Sequence, residues 1–299
     1  MEIIIGLAIL GFVLGAVMGS FACCQTRRMR RKEKNQKDLG MWSECEHCGH
    51  KLAWYENIPV ISWLIQKGKC RKCKKKIGKA EILSELGLGL IFAILILVAY
   101  RDFQVYGTSE VQILFAIGLV CLLLATATAM WMIVVYDMSW GKMPTVALIG
   151  SIICAAIYRG ILLFNPAEDG TGIAFVGINQ SDLLNLLGAI LILPALYFGL
   201  YFFSREKLVG SGDWLLALAI ALILGDWWLA FFELFAANAL ASIMAIYLII
   251  RDRSKHKKSR TSRFGKEMSM KIPFGPFLVV GQVIVLALAP MILKLLVLR

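Results

Sequence analysis

The stretch VQILFAIGLVCLLLATATAMWMIVVY, Val111–Tyr136, runs for 26 residues without an Asp, Glu, Lys or Arg. A helix needs about 20 apolar residues to cross the hydrocarbon core of a bilayer, so this stretch reads as a membrane span. Working outward, similar segments run over Ile3–Ala22, Ile82–Tyr100, Val146–Phe164, Leu183–Phe203, Trp214–Leu224, Leu229–Ile250 and Phe277–Leu298. The sixth span in chain order, Trp214–Leu224, is short, and Gly225-Asp226 reads as the turn after it. The fold expected is an all-α polytopic membrane protein of about eight transmembrane helices with one small cytoplasmic, zinc-ribbon-like loop domain. Composition agrees: of 299 residues 59% are hydrophobic, against about 45–50% in soluble domains, and mean hydropathy is +0.73. Met1–Ala22 has no basic residues ahead of it and a basic cluster behind it, which predicts a retained first span rather than a signal peptide.

Charge sets the expected orientation. Net charge is +12, and 28 of the 32 Lys and Arg fall in four regions: Arg27–Lys79, the turn with Lys142, the turn with Arg205 and Lys207, and Arg251–Lys271. Eight spans put all four regions on one side, which the positive-inside rule makes cytoplasmic. Asp102, Glu110, Glu168, Asp169, Asp182 and Asp226 then fall on the opposite side, with both termini. The basic run Lys255–Arg263 reads as a solvated, lipid-contacting segment.

The largest region outside the spans carries Cys45-x-x-Cys48 and, further on, Cys70-x-x-Cys73. Two such pairs at ribbon spacing predict a closed tetrahedral zinc site, structural because four thiolates leave no open position. Lys69, Arg71, Lys72, Lys74 and Lys75 favour the thiolate form, and Gly49 suits the tight turn. His47 and His50 are read as solvent-facing, and Cys23, Cys24, Cys121 and Cys154 as inert packing. Trp54, Tyr55 and Trp63 are assigned to packing or the membrane interface rather than to base stacking, so no nucleic-acid partner is expected.

Two carboxylates stand at span ends: Asp137 after the third span, and Asp213 in Gly210-Ser211-Gly212-Asp213 at the start of the sixth. The topology gives them one depth. Two facing carboxylates share a proton, so one can take a proton from water while the other polarises a carbonyl, as in an aspartyl protease. The glycines before Asp213 allow close approach of an extended peptide. The histidines, His47, His50 and His256, are assigned to loops, and there is no HExxH, which excludes histidine-based serine and zinc hydrolase sites. The competing assignment for Asp213 is a helix N-cap.

In this order the chain resembles the bacterial type IV prepilin peptidase/N-methyltransferase family of GxGD-type aspartyl proteases. The resemblance rests on several ordered stretches. They are Gly19-Ser20-Phe21 and Arg28; the four cysteines with Trp54-Tyr55-Glu56-Asn57-Ile58-Pro59-Val60-Ile61-Ser62-Trp63-Leu64 between them; Glu81 and Glu85; Asp137 and Pro144; Gly210-x-Gly212-Asp213; and Lys271-Ile272-Pro273-Phe274-Gly275-Pro276-Phe277. Leu215, Thr145, Cys23 and Arg30 depart from the family pattern. The resemblance implies an inner-membrane endopeptidase that cuts the basic leader from prepilins or pseudopilins at the cytoplasmic face. It further implies methylation of the new N-terminus with S-adenosylmethionine. Asp137 and Asp213 fall on the catalytic pair. The implied division is a first span over 1–26, a methylation-linked zinc domain over 27–81 and a seven-helix peptidase domain over 82–299. Two other functions compete on residues alone: a zinc-ribbon membrane adaptor without catalysis, and a carboxylate-using transporter.

Overall fold

The computed structural model describes residues 2–35, 43–45, 47–106, 110–164, 183–205, 209–256 and 273–297. Glu168, Asp169, Asp182, Lys207, Lys271, Ile272 and Lys257–Arg263 lie outside the described residues. The helices in chain order are α1 (Glu2–Glu33), α2 (Ile61–Ile65), α3 (Lys79–Tyr106), α4 (Glu110–Trp140), α5 (Thr145–Phe164), α6 (Leu183–Ile192), α7 (Pro194–Ser204), α8 (Ser211–Leu224), α9 (Trp227–His256) and α10 (Gly275–Val297). Among the described residues there is no β-strand, only two isolated bridges.

Seven spans are long and apolar enough to cross a membrane, with α6 and α7 together forming one of them. The short apolar α8 matches the short sixth segment of the sequence, so about eight apolar segments are present, seven of them of spanning length. The break between α6 and α7 falls at Leu193, because Pro194 has no N–H to continue the ladder. α9 extends to His256, which therefore ends a helix rather than lying in a loop.

α1 and α3 pack through glycines. Gly11, Gly15 and Gly19 recur every fourth residue and lie on one face of α1. A Cβ at Gly15 would stand 2.4 Å from the Leu88 carbonyl oxygen, and one at Gly19 would stand 2.4 Å from that of Ser84. Small residues at this spacing let two backbones meet where apolar solvent gives no hydrophobic drive to association. Ser84 ties a third helix to the pair: its Oγ donates to the Gly19 carbonyl at 2.8 Å and accepts from Trp131 Nε1 of α4 at 2.8 Å.

α8 is the most enclosed helix, with Leu216, Ala217, Ala219, Ile220, Ala221 and Leu224 all at 0% exposure. Its 14 residues reach only about 21 Å at 1.5 Å per residue, short of a bilayer core of about 30 Å. Its C-terminal carbonyls end among protein groups. Arg159 of α5 donates from Nε to the Leu222 oxygen at 2.8 Å and from a terminal nitrogen to the Ile223 oxygen at 2.7 Å. Gly225 follows with φ +63°. Asp226 then caps α9, its Oδ1 accepting from the N–H groups of Trp228 and Leu229. The expected turn at Gly225-Asp226 is present, but Asp226 is buried rather than a free loop charge.

Candidate functional site: a buried carboxylate pair and a four-cysteine cluster

Asp137 lies in the last turn of α4, which Gly141 ends at φ +62° with its N–H on the Asp137 carbonyl. Its Oδ2 accepts the backbone N–H of Gly275, the first residue of α10, at 3.1 Å. Asp213 is the third residue of α8, and its Oδ2 accepts the Gly210 N–H at 2.8 Å. It therefore caps from inside the first turn, not from the N-cap position that the sequence allowed. Its other oxygen, Oδ1, is buried without a hydrogen-bond partner. Both side chains are buried.

Met143 fills the space between the two carboxylate-bearing segments. A Cβ at Gly212 would meet Met143 Sδ at 2.6 Å, and one at Gly275 would meet Met143 Cε at 3.0 Å and Asp137 Oδ2 at 3.1 Å. The Gly210–Asp213 turn, the Asp137–Pro144 turn and the start of α10 thus converge on one point. Each glycine permits an approach that a side chain would block.

The four cysteine sulfurs, Cys45, Cys48, Cys70 and Cys73, lie within 4.8 Å of one another. Cys45 and Cys73 are 3.9 Å apart, too far for a disulfide of about 2.05 Å. That distance matches the edge of about 3.8 Å expected for four sulfurs at about 2.3 Å from a shared ion. The cluster is thus able to hold a metal such as zinc. The two halves repeat one pattern. Cys45 N–H bonds the His50 carbonyl and Gly49 N–H the Cys45 carbonyl; Cys70 N–H bonds the Lys75 carbonyl and Lys74 N–H the Cys70 carbonyl. Bridges Glu44–Lys51 and Lys69–Lys76 close the two turns. The Cys73 N–H, helped by that of Lys72, draws the Cys70 thiol down to about 6, toward the thiolate a metal needs. Burial pushes the Cys45 thiol in the opposite direction.

The loop is anchored to the spans. Arg27 of α1 pairs with Glu81 of α3. Glu85 Oε2 accepts the Val60 N–H at 2.7 Å. Val60 has φ +62°, rare for a β-branched residue, so the carboxylate holds a strained turn in place. At the far end of α1 the Arg30 guanidinium lies 5.9 Å from the Trp140 ring centroid, and the Trp140 and Tyr136 rings meet at 4.6 Å, tilted by 59°. The end of α1 that leads into the cysteine loop and the turn bearing Asp137 therefore share one end of the bundle.

Two buried ionisable residues escaped the sequence reading although each stands in an apolar run: Arg159, and Glu233, whose two carboxylate oxygens are buried without partners beside Gly281. An intramembrane charge is itself the signal for both.

These features define the class: a multi-pass helical membrane protein with a buried carboxylate pair and a metal-competent four-cysteine loop. Comparison with known proteins narrows it. Residues 13–99 match the bacterial peptidase A24 N-terminal domain. A Myxococcus xanthus prepilin leader peptidase/N-methyltransferase is 42% identical over 85 residues, covering 28% of this chain and 24% of that protein. Proteins of the same name from Pseudomonas putida (27% identical) and Dichelobacter nodosus (28% identical) each align with 80% of this chain, and with 69% and 68% of their own lengths. No solved structure matches. The resemblance to the prepilin peptidase/N-methyltransferase family thus holds across four fifths of the chain.

Proposed function

We propose that this chain is a membrane aspartyl endopeptidase that removes the basic leader from prepilins or pseudopilins and then N-methylates the new N-terminus. The observation that carries the reading is the carboxylate pair. Asp137 and Asp213 are buried together, each with one oxygen held by a backbone N–H, and Asp213 keeps Oδ1 unpartnered. A fixed oxygen orients each carboxylate, and the unpartnered Oδ1 is placed to hold the shared proton. The ionised partner removes a proton from water as it attacks the scissile carbonyl, and the protonated partner donates to the carbonyl oxygen.

The active end faces the cytoplasm of the inner membrane in this reading, in keeping with the basic loops around it. The prepilin's apolar helix approaches laterally through the bilayer. The division into 1–26, 27–81 and 82–299 follows, with zinc as a structural ion on Cys45, Cys48, Cys70 and Cys73. S-adenosylmethionine supplies the methyl group when bound. Its site belongs in the 27–81 region with the adjoining helix ends, where buried polar groups without partners fit a polar ligand. No nucleic-acid partner is assigned.

The test is cleavage of a co-expressed prepilin, read as a gel shift. Asp137→Asn and Asp213→Asn should each accumulate in the membrane at wild-type level and leave the leader uncut. Cleavage retained in either variant excludes the pair.

A further inference from the structure

α1 is 32 residues long, about 48 Å at 1.5 Å per residue, against a bilayer core of about 30 Å. Its last turns therefore stand clear of the apolar spans, beside the end of α4 that carries Asp137. The Arg30 guanidinium lies over Trp140, the last residue of α4, at 5.9 Å from the ring centroid. Trp140 in turn meets Tyr136, which is fully buried and so held in place. Asp137 falls between these two aromatic residues in the closing turn of the helix.

A helix C-terminus exposes unsatisfied carbonyls and a partial negative charge, which a cation beside the last turn offsets. α4 has no basic residue in its own last turn. Lys142 follows two residues later but is exposed, where water and salt screen it. Arg30 is half-buried, and its Nε is enclosed without a hydrogen-bond partner. Glu33 holds the guanidinium in orientation through Nη1 at 2.9 Å. Arg30 is also a departure from the family pattern, so this contact belongs to this chain's own sequence.

We propose that Arg30 is a positioning residue for leader cleavage: from α1 it closes the last turn of α4 through Trp140 and so fixes where the Asp137 carboxylate points. The proposal rests on the peptidase reading above. Arg30 itself touches neither substrate nor the reacting atoms. Without it the spans and the carboxylate pair remain, but Trp140 and the last turn fray, and fewer molecules hold Asp137 ready for attack. The loss falls on kcat, because the docked apolar helix of the substrate sets KM.

The experiment measures initial rates of leader cleavage against prepilin concentration for full-length variants in detergent. Arg30→Gln should lower kcat about three- to tenfold, the scale of a lost cation–π and helix-end contact, with KM and unfolding temperature unchanged. Arg30→Lys keeps a cation over the ring and should restore kcat to within about twofold. Lys32→Gln removes the same charge from nearly the opposite face of α1 and should cleave at the wild-type rate. In a Trp140→Leu background Arg30→Gln should cost nothing further. Hydrogen exchange gives a readout apart from activity: the Gly141 amide, bonded to the Asp137 carbonyl, should exchange faster in Arg30→Gln. Wild-type kcat in Arg30→Gln, an equal loss in Lys32→Gln, or a loss that follows a lowered unfolding temperature overturns the role of Arg30 and leaves the peptidase reading standing. Additive losses in the double variant overturn the route through Trp140. A wild type that leaves prepilin uncut overturns the peptidase reading, and this proposal with it.

Discussion

The backbone N–H of Gly275 reaches the carboxylate of Asp137 at 3.1 Å across 138 positions of sequence. The stretch Pro273–Phe277 thereby becomes a wall of the carboxylate site rather than a mere entry to α10. Met143 packs against this wall and against Gly212. Gly212→Ala puts its methyl 2.6 Å from Met143 Sδ and should lower cleavage sharply, since displacements near 1 Å can cost about 100-fold. Met143 Sδ and Cγ are the removable part of the clash while its Cβ stays at 2.9 Å, so Gly212→Ala with Met143→Ala should recover part of the rate. Initial rates of leader cleavage for the two single variants and the pair measure this coupling, and simple additivity would argue against the contact.

The glycines of α1 make a separable prediction. A side chain at Gly15 meets the Leu88 carbonyl oxygen and the Gly89 Cα at 2.4 and 2.8 Å, and backbone cannot give way cheaply. Gly15→Val should separate α1 from α3 and cost on the order of 1–3 kcal/mol by overpacking. Gly6 has nothing within 4 Å of the corresponding position, so Gly6→Val should be silent. Detergent unfolding temperatures of the two variants decide it, because equal values contradict close α1–α3 packing.

Much of this architecture was legible from the sequence because a bilayer makes length and apolarity nearly sufficient to define a span. The same logic exposed the short α8 and the turn at Gly225-Asp226. The cysteine spacing announced the metal-competent cluster, since a tetrahedral site demands two tight turns. Packing was less legible. Gly11, Gly15 and Gly19 are visible as a repeat of four, yet only the position of α3 shows which surface they serve. Arg159 and Glu233 were visible as charges in apolar runs, but their surroundings depend on helices distant in sequence. The Gly275 bond to Asp137 was hidden for the same reason. The competing N-cap assignment for Asp213 misses its place inside the first turn, which follows from where α8 begins.

The two cysteine turns differ at one matched position. Gly49 follows Cys45 by four residues at φ +65°, and Lys74 follows Cys70 by four at φ +58°. Glycine takes this conformation freely, whereas lysine does so at a cost. Lys74→Gly should therefore raise the stability of the metal-loaded loop by up to about 1 kcal/mol, whereas Gly49→Lys should lower it. Proton competition supplies a second readout. The Cys70 thiol is lowered from 9.0 to about 6, so its contribution is complete above the unfolded value and is lost as pH falls through the folded one. Metal retained against a fixed chelator should fall as pH drops toward about 6. Retention independent of pH across that interval would contradict proton competition at Cys70.

The last prediction concerns the far end of α8. Asp213 sits near its start, and the Leu222 and Ile223 carbonyls at its end accept two bonds from Arg159, a side chain only 1% exposed. In a bilayer core water cannot replace those donors. The guanidinium also opposes the partial negative charge at the helix C-terminus. Gly225 leaves room for it: a Cβ there would fall 1.8 Å from an Arg159 terminal nitrogen. Arg159→Met preserves much of the volume but strands two carbonyls, at a cost of about 3 kcal/mol or more for two charge-assisted bonds. Arg159→Lys keeps the charge without the fork and should fall between. Because Asp213 lies nine residues before Leu222, about 14 Å along the axis, the main effect should be on unfolding temperature. Surviving folded enzyme should cleave with near-normal KM. If Arg159→Met unfolds at the wild-type temperature, Arg159 does not cap α8. A selective loss of kcat at unchanged stability would instead place Arg159 in communication with the carboxylate pair.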